Sequence, residues 1–135
     1  MTIDITVPQT GPEARQLIRE GRFLQPTSGV APGNVQANVA ILPKDVAFEF
    51  LLFCQRNPKP CPVIEVIEPG EVEAALTAPG SDIRTDVGRY RVFKNGELVD
   101  EPESIESHWR DDLVTFLLGC SFSFEHALMA NGIEL

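Results

Sequence analysis

Apolar residues recur at helical spacing at Ala14, Leu17 and Ile18, directly behind Thr10, Gly11, Pro12 and Glu13. A threonine cap, a proline compatible with a first turn and an early acid predict a helix that ends near Gly21. Residues 25–33 hold Pro26, Gly29, Pro32 and Gly33 and read as a surface loop, because these residues break both regular structures. From Asn34 to Ile41 the chain alternates, which puts Asn34, Gln36 and Asn38 on one face of a strand and Val35, Ala37, Val39 and Ile41 on the other. Val35, Val39 and Leu42 also fit helical spacing, so a helix stays open as the alternative. Pro43 suits the first turn of a helix that carries Phe50, Leu51 and Cys54 and stops at Asn57-Pro58.

The β-branched run from Pro62 to Ile67 predicts a mostly buried strand, turned at Pro69-Gly70 and followed by a short helical turn near residues 71–76. Residues 89–93 and 97–99 flank Lys94-Asn95-Gly96, and the Asn-Gly step predicts a tight hairpin. Ser104 or Ser107 then opens a long helix with an apolar stripe of Trp109, Leu113, Phe116 and Leu117, broken at Gly119. A further helix starts at Ser121 or Ser123 and stops at Asn131-Gly132. The sum is an α+β fold of mixed α and β elements: a short sheet that includes a β-hairpin near residues 89–99, packed with about four helices in one domain over residues 1–135.

Composition changes this picture little and function more. The 43% hydrophobic and 23% charged shares are those of an ordinary folded domain. No apolar run approaches the roughly 20 residues of a membrane span, and no basic start precedes an apolar stretch, so the expectation is a cytoplasmic protein without a membrane partner. Eleven Lys and Arg against twenty Asp and Glu give a net charge of -9, which argues against nucleic acid. Cys54, Cys61 and Cys120 are odd in number and lack Cys-x-x-Cys spacing, so they are expected to be free thiols. His108 and His126 sit at the ends of separate predicted helices, and no metal or cofactor is expected. Walker, Rossmann, Gly-x-Ser-x-Gly and His-Glu-x-x-His motifs do not occur.

Three clusters carry candidate chemistry. Cys120, Ser121, Ser123 and Glu125 form a polar junction between two predicted helices, where N–H groups at a helix start and serine hydroxyls suit an anion; a capping serine and a core cysteine explain the same residues. Arg84, Arg89 and Arg91 crowd near Asp82 and Asp86, and an arginine fork matches a carboxylate, although pairing with Asp82, Asp86 or Asp100 on a solvated sheet face is the plainer account for at least two of the three. Asn34, Gln36 and Asn38 offer amides for a carboxylate, amine or carbonyl, or simply a hydrogen-bonded sheet face.

Four stretches together resemble the D-glutamate cyclase family of bacterial hydro-lyases: TSGVAPGNVQANVAILP from Thr27, FCQRNPKPCP from Phe53, DIRTD from Asp82 with RYR from Arg89, and WRDDLVTFLLGCSFSFE from Trp109. The resemblance runs from Thr27 to Leu135 and implies dehydration of D-glutamate to 5-oxo-D-proline, in which the amine attacks the side-chain carboxyl and water leaves. On that chemistry Cys120, Ser121, Ser123, Glu125 and Asp86 are the candidate catalytic residues, with Arg84, Asn34, Gln36, Asn38 and Ser28 as candidates for holding a small carboxylate-bearing substrate. Family members extend further, with His-Gly-rich and Pro-Gly-His stretches absent here, so the chain reads as the N-terminal portion of a longer protein. That reading leaves three expectations open: a hydro-lyase, a non-catalytic carboxylate-binding or interaction domain, and a fragment inactive without its other half that self-associates as a homo-oligomer.

Overall fold

The computed structural model describes residues 8–25, 27, 30–121 and 127–133. Its centre is a three-stranded antiparallel sheet in the order β1 (Ala37–Pro43), β5 (Leu113–Gly119), β2 (Val63–Ile67). Helix α2 (Lys44–Arg56) covers one face, where Ala47, Phe50 and Leu51 meet Val114, Phe116 and Leu118. Phe116 is 1% exposed and takes an edge-on contact from Phe50 at a centroid distance of 4.9 Å. The other face packs Ile67 and Leu117 against Ala74, Ile83 and Trp109 from irregular chain. Helix α1 (Gly11–Arg19) belongs to a third cluster, in which Ala14 and Ile18 bury against Phe23, Val30 and Ala31.

Strand β5 overturns the long helix expected after Ser104. Only the 3-10 turn Glu106–His108 forms there, and Leu113 to Gly119 is a strand. A central strand buries both faces, so its apolar run is continuous and also satisfies helical spacing; Val114, Thr115, Phe116 and Leu117 are all buried. Among the described residues there are two α-helices, the 3-10 turn and helical residues 127–130 beside two antiparallel sheets, which is the mixed α and β fold expected. The helical turn expected near residues 71–76 is replaced by a turn closed by a bridge between Ala74 and Ala78.

The strand expected over residues 34–41 forms three residues later, which leaves Asn34 and Gln36 ahead of it and Val35 71% exposed. Pro43 ends β1 instead of entering α2. In β2 a bulge between Val63 and Glu65 turns the glutamate inward and leaves Val66 half exposed, so the apolar run did not reveal the buried face. The hairpin forms as β3 (Val92–Lys94) and β4 (Glu97–Asp100), with Asn95 at φ 53° and Gly96 at φ 80° as a two-residue left-handed turn requires. It is a separate two-stranded sheet, and Arg89 and Arg91 lie ahead of its strands.

Candidate functional site

A cavity of about 290 Å³ opens between α1, the chain before β1 and the irregular segment 74–87. Its walls are mostly apolar, with Ala14 and Ile18 from the helix, Val39 and Leu117 from the sheet, and Ala74 and Ala78 from the turn. Each wall follows from local sequence. Thr10 accepts a hydrogen bond from the Glu13 amide and fixes the start of α1, which then turns Ala14 and Ile18 inward. Buried Glu65 accepts hydrogen bonds from the Leu76 and Thr77 amides and, at 2.6 Å, from the Thr77 hydroxyl, which pins the turn.

The loop wall is held by side-chain amides. Gln36 donates from Nε2 to the Thr27 carbonyl at 2.8 Å and accepts from the Thr27 hydroxyl at 2.6 Å, while Asn34 donates to the Ala31 carbonyl at 3.1 Å. Both residues line the cavity. Asn38 lies exposed on β1 and outside the lining, so the structure does not bring the three expected amides together.

Asp82 and Asp86 also line the cavity, and each already holds an arginine. Asp86, with its side chain 4% exposed, accepts from Arg19 through Nε at 2.8 Å and Nη2 at 2.7 Å, from the Asp82 amide at 2.9 Å and from the Thr85 hydroxyl at 2.8 Å. Burial pushes the Asp86 carboxyl upward, but the Arg19 fork and the other donors outweigh it and hold the carboxyl below the usual range. A carboxylate so held suits a fixed anion, not a proton donor near neutrality. Arg84 spends its fork on Asp82, Nε to Oδ1 at 2.9 Å and Nη2 to Oδ2 at 2.7 Å, and these bonds lower the Asp82 pKa against the opposing effect of burial. Arg84 is therefore engaged within the chain and is not part of the cavity wall. Tyr90 closes the same segment by donating to the Ile83 carbonyl at 2.6 Å, and burial raises its pKa.

Cys120 leaves β5 with its thiol 3.5 Å from the Gln36 carbonyl, and Ser121 is exposed in a turn. The junction is entered from a strand, not from a helix. Ser28, Ser123 and Glu125 lie outside the described residues. Cys54 is buried, and its thiol pKa is raised by burial and by neighbouring Cys61; Cys54, Cys61 and Cys120 are all free.

No protein-family model matches the chain. Curated bacterial proteins match it closely: one from Geobacillus kaustophilus is 59% identical over 128 residues, covering 95% of this chain and 49% of the relative. One from Bacillus licheniformis is 60% identical over 123 residues, covering 91% and 47%, and one from Bordetella pertussis is 55% identical over all 135 residues, covering 48% of the relative. All three carry the name "Putative hydro-lyase". The chain is homologous to these proteins. It spans about half the length of the curated relatives it matches.

Within the chain, one residue that sequence reasoning missed is Arg15. It lines the cavity half-buried from the middle of α1, and no acid pairs with it among the described residues. The available signal was its position one residue after Ala14 and three before Ile18 on an amphipathic helix, which sets it at the edge of the buried stripe. Ser81 was missed too; it lines the cavity, and its hydroxyl oxygen accepts the Ala74 amide at 3.1 Å. Among the described residues no helix is long and apolar enough to cross a membrane.

Proposed function

We propose that the protein is a hydro-lyase of a small acidic metabolite, with D-glutamate, cyclised to 5-oxo-D-proline, as its substrate. The observation that carries this reading is the cavity. At about 290 Å³ it sits at the small end of ligand pockets, which run to roughly 1,000 Å³, and it suits a molecule of amino-acid size. The name shared by relatives at 55–60% identity supplies the reaction class. In the reaction the amine attacks the side-chain carboxyl, an N–C bond forms, a C–O bond breaks and water leaves. That requires a neutral amine, a held α-carboxylate and donors for the tetrahedral oxyanion. Cys120, Ser121, Ser123 and Glu125 remain our candidates for the donors and the acid, because the thiol of Cys120 touches the backbone of Gln36 at the cavity wall.

Incubating the protein with D-glutamate or L-glutamate and following 5-oxoproline by mass spectrometry tests the proposal. Enzyme-dependent 5-oxoproline from D-glutamate is the expected result. A second reading, a carboxylate-binding module without turnover, is favoured by the pairing of both cavity aspartates with arginines. Saturable D-glutamate binding with no product would select it.

A further inference from the structure

Three charged side chains line the cavity, and two of them are already neutralised: Asp86 by Arg19 and Asp82 by Arg84. Arg15 is the third. Among the described residues it has neither an ion pair nor a hydrogen bond, so the cavity wall carries one uncompensated positive charge within a protein of net charge -9. Its guanidinium folds back over the first turn of α1, where a Cβ added at Gly11 would meet Nη1 at 3.1 Å. Glycine at that position leaves the fork room beside the cavity. The surrounding wall is apolar, which strengthens any charge-assisted bond the fork makes.

We infer that Arg15 binds a carboxylate of the ligand in this cavity. The inference rests on the proposal that the cavity is the substrate site, and it names the group that recognises the substrate's charge. Arg19 and Arg84 are excluded from that role because both forks are spent on aspartates. Arg15 has no such partner among the described residues, so replacing it removes no bond found there and the fold should persist.

Calorimetric titration with glutarate, its neutral diamide and inorganic phosphate tests the assignment, with thermal melting as the folding control. The expected result is binding of glutarate in preference to the diamide and to phosphate. Arg15→Gln should then weaken glutarate by roughly 10- to 100-fold while leaving the diamide unchanged, and Arg15→Lys should recover part of the charge preference. Undiminished glutarate binding by a folded Arg15→Gln protein, tighter binding of phosphate than of glutarate, or no glutarate binding at all would overturn the inference. The 5-oxoproline assay separates this from the proposed activity. Lost charge preference in a protein that makes no 5-oxoproline sinks the activity and keeps Arg15, whereas turnover with an unaltered KM in Arg15→Gln does the reverse.

Discussion

Single side chains decide what the cavity can bind, and the two lining aspartates show how. Asp86 is nearly inaccessible and takes four hydrogen bonds, whereas its partner Arg19 is 40% exposed, so solvent screens the pair on one side only. Asp86→Asn keeps the shape and removes the charge, and it should destabilise the protein by about 1–3 kcal/mol at neutral pH. Because the folded carboxyl titrates below its unfolded value, its contribution is complete above about pH 4 and is lost as pH falls through the folded pKa. Denaturant melts of both proteins should therefore differ at pH 7 and converge on acidification. A constant difference across that range would show that Asp86 acts through packing alone. The sequence exposed the arginine and aspartate crowding at 82–91 and the local pairing of Arg84 with Asp82, but not the pairing of Asp86, because Arg19 is 67 residues away from Asp86 and only the fold makes them neighbours.

Elements were legible wherever a local rule sufficed. The Asn95-Gly96 hairpin, α1 with its Thr10 cap and the stop of α2 near Asn57 each rest on residues close in sequence. Strand β5 was not legible, since its identity as the central strand depends on partners at Ala37–Pro43 and Val63–Ile67. Its last residue also explains Gly119, which at the sequence level looked like a helix breaker. The Gly119 amide donates to the Pro62 carbonyl at 2.9 Å, and an added Cβ would stand 2.9 Å from the Pro62 ring. A proline ring cannot swing aside as a flexible chain end can. Gly119→Ala should therefore cost about 1–3 kcal/mol through overpacking where β5 meets the start of β2. Thermal melting at unchanged secondary-structure content is the check; a neutral result would mean that residues 62–63 move freely.

At the scale of the molecule, the cavity lies on a seam. Helix α1 buries Ala14 and Ile18 against Phe23, Val30 and Ala31, a cluster separate from the two that cover the sheet. The Arg19–Asp86 fork and the Arg19 bond to the Gly80 carbonyl at 3.2 Å tie the helix across the cavity to the segment below the sheet. A nine-residue helix is too short to persist alone, so its stability comes from this docking. Regions with few buried contacts open at lower free energy than central strands. The amides of residues 14–19 should therefore exchange with deuterium well before those of 114–117, whose strand is paired on both edges. Asp86→Asn should speed exchange in α1 more than in β5, because it cuts the tie and leaves the sheet intact. Glutarate bound at Arg15 bridges the same seam, and it should slow exchange in α1 while leaving β5 unchanged. Equal protection of α1 and β5, with equal response to the substitution, would show one cooperative unit and remove the seam as a basis for ligand-linked ordering.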